Sequence, residues 1–307
     1  MKKMVSRRRF LTTGVTTATL VSGQYFTGRV FAQDAADIGV AKGTDVNAAV
    51  KAAVAAVGGM GAFVKKGDVV AVKPNLSFAS PPGRATTTSP ATIKAVMDLC
   101  IEAGARQVLV IDHPLQHASI IQSDSAVASA VRETKNASLI LPTTENLFEE
   151  KAIPRGKAMK STQTAKILDE IDVLINLPVA KNHSATFVSL GIKGNLGLVY
   201  DRMAYHNCSD FMQSLADLAT IITADLTIVD AIRALTTRGP QGPGKVVKLD
   251  TIVAGADPVA VDAYATELTP WNNRAAKGRN IQYLVHAAEM GLGELDPHKL
   301  NIRETTV

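Results

Sequence analysis

Short runs rich in Val and Ile alternate with longer, Ala-rich amphipathic segments from about residue 36 to about residue 290, and nothing else in the sequence restricts the fold as tightly. Parallel strands cannot be joined by a tight turn, so alternation at this spacing calls for right-handed βαβ crossovers. The strand cores VVAV (69–72), VLVI (108–111), VLIN (173–176) and TIV (251–253) are continuous apolar runs, as expected when both faces of a sheet are covered. The fold class is therefore α/β: a mainly parallel sheet with helices on both faces. Residues 33–307 read as a single large domain, with room for a small lobe around 184–225. Two helices carry clear start signals. One is SPATIKAVMDLCIEAGA, with Ser89 as N-cap and Pro90 at its first position. The other is DPVAVDAYATEL, opened by Asp257 and Pro258. SDSAVASAVRETKN and the shorter TAKILDEI also read as helices.

Residues 1–32 stand apart from this pattern. Lys2, Lys3, Arg7, Arg8 and Arg9 form a basic stretch, Phe10 to Gly23 is modestly apolar, and Val30-Phe31-Ala32 supplies a small-residue cleavage signal. Ser6-Arg7-Arg8-Arg9-Phe10-Leu11 fits the twin-arginine pattern S-R-R-x-F-L, so the expectation is export through the twin-arginine translocase to the periplasm. The apolar stretch is too short and too rich in Thr and Gly to span a bilayer, which needs about 20 mostly apolar residues. No stable membrane anchor is expected.

The leader also distorts the charge. The whole chain has 33 basic and 28 acidic residues, a formal net charge of +5, which would invite a nucleic-acid partner. Six of the basic residues lie in the leader, leaving 27 against 28 and a net charge of −1 for the rest. No surplus of positive charge remains to neutralise a phosphate backbone, and a nucleic-acid partner is excluded. Two cysteines, Cys100 and Cys208, are too few for a disulfide framework or a cluster held by four thiolates. The pair could bridge in an oxidising compartment.

In open α/β sheets ligands bind outside the carboxyl ends of the strands. Those ends read Lys73-Pro74-Asn75, Asp112-His113-Pro114, Asn176-Leu177-Pro178 leading to Lys181-Asn182-His183, then Asp230, then Gly255-Ala256-Asp257. The stretch AKNHSATFVSLGIKGNLGLVYDRMAYH is the densest, holding Lys181, His183, Lys193, Asn195 and His206 among Gly191, Gly194 and Gly197. Glycines let backbone approach a ligand, and lysines with free N–H groups favour an anion such as phosphate or carboxylate. The bland alternative is a tight helical segment with solvated lysines.

Other chemistries fit less well. RGPQGPGK spells a P-loop, but Val246 replaces the Mg²⁺-binding hydroxyl and a strand follows where a helix is needed. Two prolines also remove N–H groups, so a lid or wall over the cleft is the better reading. His183, His206, Asp112, Asp230 and Asp262 are ligand types for a divalent metal, though without HxH, HExxH or CxxC spacing. No G-x-S-x-G elbow marks a serine hydrolase.

Taken in order, KPN (73–75), the Thr87-Thr88-Ser89-Pro90 helix start, the strand ending in Asp112, INLPVAKNH, IKGNLGLV, IVDAI, RGPQGPGK and AGADPVAVDAYA resemble the domain of unknown function 362 family. The resemblance runs over nearly the whole chain beyond the leader and implies an α/β protein. It points to Lys73, Asn75, Asp112, Lys181, His183, Lys193, Asn195, Gly197, His206, Asp230, Gly239, Pro240, Asp257 and Asp262 as motif positions. Many members carry an added segment whose cysteines bind iron–sulfur clusters. This chain lacks it, and no such cluster is expected.

Two functions follow. One is an enzyme acting on a small anionic molecule: His183 or His206 moves a proton and Asp112 or Asp230 orients the base or holds a cation. Lys73, Asn75, Lys181, Lys193, Asn195, Gly197, Gly239, Asp257 and Asp262 then bind the ligand. The other is a non-catalytic protein that handles a metal or cofactor for a redox system.

Overall fold

Alternation along the central strands sorts the core into two layers. The computed structural model describes residues 35–307 apart from 117 and 124, so the leader lies outside the described residues. Strand β1 is Ile38–Lys42, β2 Val69–Pro74, β3 Gln107–Ile111, β4 Ala137–Ile140, β5 Phe148–Ala152 and β6 Ser161–Ala165. Then come β7 Val173–Leu177, β8 Val179–His183, β9 Phe187–Ser189, β10 Leu226–Leu235, β11 Val246–Gly255 and β12 Ile302–Thr306. Val70 and Val72 of β2 pack with Val108 and Val110 of β3 under helices α1 (Val46–Ala56), α2 (Pro90–Glu102) and α3 (Ala126–Arg132). Val69 and Ala71 face the other way. They join Leu109, Leu174 and Val229 under α4 (Gly191–Gly194), α5 (Arg202–Asn207), α6 (Phe211–Ala219), α7 (Pro258–Glu267) and α8 (Gln282–Glu289). Each fully buried Val or Leu contributes about 1.5–3 kcal/mol, and here both faces contribute, which is why the strand cores are uninterruptedly apolar.

The sheet runs β12-β1-β11-β10-β7-β2-β3-β4, with β8 beside the far half of β10 and β9 beyond β8. Pairs β12–β1, β10–β7, β7–β2, β2–β3 and β3–β4 are parallel. Only β11, against β1 and β10, and β9, against β8, run antiparallel within this sheet. The expected mainly parallel sheet is present, in one domain. Residues 184–225 form no separate lobe, because Leu190, Ile192, Leu198, Tyr205 and Leu215 belong to the main buried cluster.

Several local readings change. Thr164 and Ala165 end strand β6, leaving only one 3₁₀ turn at Lys166–Asp169 where a helix was expected. β5 and β6 pair as a polar hairpin outside the main sheet, so they carry no apolar run for a sequence reading to find. Within 123–136 the expected helix is present as α3, and a further short helix, Ala118–Ser123, precedes it. Ser89 occupies the N-cap position of α2 without a capping bond from its hydroxyl; its own N–H donates instead to Asp230 Oδ2 at 2.8 Å. Asp257 caps α7 as expected, accepting from the N–H groups of Val259 and Ala260. Cys100 and Cys208 are both free, Cys100 buried in the α2 layer with its thiol pKa pushed up by burial. No described helix is long and apolar enough to cross a membrane.

Candidate functional site

Lys73 is the penultimate residue of β2, and Asp112 follows β3 directly, so adjacent parallel strands bring the two side chains together. Lys73 Nζ lies 2.9 Å from Asp112 Oδ1 and also donates to the Pro74 carbonyl at 2.7 Å. Both residues are buried, at 2% and 1% exposure. The second oxygen of Asp112 accepts the Leu76 N–H at 2.6 Å, tying the turn after β2 to the same carboxylate. A buried charge survives only when paired, and this pair is shut in by backbone. A Cβ on Gly197 would stand 1.9 Å from Asp112 Oδ1 and 2.7 Å from Lys73 Nζ. Only a glycine lets that backbone close over the ion pair.

Lys181 reaches the same region from β8. Pro178 separates β7 from β8, and the chain continues alongside β10, with Lys181 opposite Leu235. Lys181 is 1% exposed, and its Nζ meets the Thr86 carbonyl at 2.6 Å and Asn75 Oδ1 at 3.1 Å, 5.2 Å from the Phe78 ring centre. No carboxylate pairs with it among the described residues. Burial holds its pKa well below the usual lysine value, Lys193 and Lys73 add to the effect, and Asp112 opposes it. Burial likewise lowers Lys73, with Asp112 again opposing.

Lys193, at the end of the short helix α4, is partly buried and has neither hydrogen-bond nor ion-pair partner among the described residues. Burial, then Arg202 and Lys73, bring its pKa down to about 8. Arg202 opens α5; its Nε donates to Leu196 O at 3.0 Å and its Nη2 to His113 O. Guanidinium remains charged under such conditions. His183 ends β8, and its Nδ1 accepts the Ala185 N–H at 3.1 Å, which leaves its proton on Nε2. Burial, Lys193, Lys181 and His206 together hold that imidazole neutral, down to about 3. His206, exposed on α5 and packed 4.2 Å from the Phe211 ring, is lowered first by burial and then by Lys193. Four basic side chains and two imidazoles thus act on one another around a single shared carboxylate, Asp112.

His113 is the counterpart of His183. Its Nδ1 donates to Val199 O at 2.9 Å, so its Nε2 carries the lone pair, and its ring stacks on Tyr200 at 6.1 Å. Burial lowers its pKa against the pull of that carbonyl.

The remaining sequence candidates are placed differently. Asp230, expected to orient a base or hold a cation, spends its carboxylate on the N–H groups of Ser89 and Ile232. Asp262 accepts from Gly191 N and Ile192 N at 2.8 and 2.9 Å, and burial raises its pKa to about 7. That pair of bonds fixes the start of α4 and so the position of Lys193. Asn195 bridges Asn176 to the Ile222 carbonyl. Asp257 also receives the Glu294 N–H. These four serve the backbone around the cluster. Gly239 lies on β8, its N–H donating to Asn182 Oδ1 at 3.0 Å, with Asn182 O only 1.7 Å from any Cβ it might carry. The β10–β11 connection that contains it is therefore a wall against β8, and a strand follows it, as its failure to fit a P-loop required. His183, His206, Asp112, Asp230 and Asp262 do not converge, and among the described residues no three His, Cys, Asp or Glu side chains group to hold a metal. A surface cleft of about 290 Å³ lies elsewhere, bordered by Asn47, Lys51, Asp98, Glu102, Glu133 and Lys135, and no strand-end residue lines it. Arg202 and His113 were not among the expected site residues.

The family model described as "Domain of unknown function (DUF362)" matches residues 70–267, a span that holds every member of the cationic cluster. The thylakoid-associated protein sll1697 of Synechocystis sp. is 29% identical over 226 residues, covering 69% of this chain and 66% of that relative, just under two thirds of its length. The lactate racemase apoprotein of Thermoanaerobacterium thermosaccharolyticum aligns in space with a TM-score of 0.47 and 14% identity, over 71% of this chain and 53% of that one.

Proposed function

The chain belongs to the domain of unknown function 362 family, and we propose that it is an exported enzyme acting on a small anionic substrate beside the Lys73–Asp112 pair. The observation that carries this reading is the unpartnered Lys193 in a cluster whose cations outnumber its one carboxylate. Like charges gathered at low dielectric raise each other's free energy, and an anion of matching size relieves that cost. Lys193 and Arg202 hold the anion. The Lys73–Asp112 pair, locked by Leu76 N–H and covered by Gly197, supplies the rigid floor. His183 presents an Nε2–H that donates a hydrogen bond, while His113 presents an Nε2 lone pair that takes a proton. Export by the twin-arginine translocase to the periplasm rests on the leader motif and belongs to the same proposal. The metal-handling alternative lacks a donor set among the described residues.

Thermal unfolding in sulfate tests the reading. A ligand at 100 times its Kd stabilises by about 2.7 kcal/mol. Sulfate should therefore raise the melting temperature of the wild type and leave Lys193→Met nearly unchanged, with Lys51→Met as the surface control. Equal stabilisation of wild type and Lys193→Met would remove the cluster from consideration as the anion site.

A further inference from the structure

Two lysines of this site are equally buried yet differently partnered. Lys73 has a carboxylate at 2.9 Å and keeps its charge paired. Lys181, 1% exposed, has only the Thr86 carbonyl at 2.6 Å and Asn75 Oδ1 at 3.1 Å, both neutral acceptors. A neutral amine has two N–H donors and one lone pair, whereas an ammonium has three donors and none. The two acceptors match the two donors of the amine. Lys73 and Lys193 nearby disfavour a further positive charge, and burial acts in the same sense. A desolvated lysine next to other cations is the arrangement that makes an amine nucleophilic near neutral pH.

We propose that Lys181 is an amine nucleophile that condenses with the carbonyl of a small oxo acid whose carboxylate is held by Lys193 and Arg202. The Nζ lone pair forms a C–N bond to the carbonyl carbon as the C=O π bond breaks. The oxygen then collects the two amine protons and leaves as water, giving a C=N bond to Nζ. Amine and oxo acid thus yield imine and water, and no oxidant or reductant is consumed. His183 Nε2–H stands in the same cluster as a hydrogen-bond donor to the departing oxygen. Thr86 lies just past the exposed turn Pro82–Arg84, and condensation requires that this turn move aside to admit the substrate. The inference rests on the anion reading above and adds the class of substrate.

Full-length protein is incubated with glyoxylate or pyruvate, reduced with borohydride and mapped by peptide mass spectrometry, alongside sulfate-dependent melting of the same sample. The expected result is one reduced adduct per chain on the peptide containing Lys181, saturable in the oxo acid and suppressed by sulfate. It is absent from Lys181→Arg. Because the adduct is located on the wild type itself, the test stands even if that variant fails to fold. Sulfate stabilisation without an adduct at saturating oxo acid, or an adduct on Lys73 or spread over surface lysines, overturns the amine proposal and leaves the anion site standing. Absence of both adduct and sulfate stabilisation overturns the two together.

Discussion

Sulfate affinity should fall as pH rises, and Lys193 sets where. Its pKa in the free protein is about 8 against an ordinary 10.5, because burial, Arg202 and Lys73 all oppose its charge. A dianion beside Nζ favours the charged form, so binding draws the pKa back up and a proton is taken up wherever the free site is deprotonated. At pH 7 Lys193 is already mostly charged and little uptake is expected. If the ordinary value is fully restored in the complex, linkage weakens binding roughly thirtyfold between pH 7 and pH 9.5. Sulfate is the probe of choice because it does not itself titrate in this range. Calorimetry at the two pH values, at constant ionic strength and in two buffers of different ionisation enthalpy, gives both Kd and the proton count. About one proton should be absorbed per sulfate near pH 9.5, and Lys193→Met should abolish both the uptake and the pH slope. A Kd that is flat from pH 7 to pH 9.5, with no proton uptake, would refute the reasoning.

Other perturbations address other parts of the account. Gly197→Ala drives a Cβ into Asp112 Oδ1 and Lys73 Nζ; it should cost about 1–3 kcal/mol or more in denaturant melts and remove sulfate stabilisation, and a variant that retains both contradicts the close approach. Asp257→Ala strips the cap of α7 and should cost about 1 kcal/mol, a fall of about 2–4 °C in melting temperature; an unchanged value would show that the cap does not stabilise. Arg7→Lys with Arg8→Lys should leave full-length precursor in the cytoplasm, and normal maturation in a strain lacking the twin-arginine translocase would refute the export reading.

The sequence reveals the layers of this fold because strands covered on both faces must be apolar throughout, as 69–72 and 173–176 are. It hides the polar pieces. β12 buries little, and the β5–β6 hairpin buries threonine as much as apolar side chains, so neither carries such a run. Lys73, Asp112 and Lys181 could be found as strand-end residues, since topology alone brings strand ends together. Asp230 and Asp262 look the same in sequence, but sequence does not separate a buried carboxylate that faces a ligand from one that faces neighbouring backbone, and here both accept N–H groups. Arg202 follows no strand; it arrives through α5, and only the folding of 191–202 over the Lys73–Asp112 pair places it near the cluster. His183 stands among the strand-end residues in sequence, and pairing with Phe187 of β9 makes it the last residue of β8 and fixes its ring through Ala185 N–H.

The central claim is that an anion sits among Lys193, Arg202 and the Lys73–Asp112 pair. Selenate replaces sulfate in charge and shape and scatters anomalously, so crystals soaked in it report the position of the anion directly. An anomalous peak within about 4 Å of Lys193 Nζ, the reach of an ion pair, is the expected result. Selenate peaks confined to surface lysines at a concentration that saturates the thermal shift, with none at Lys193, would contradict it.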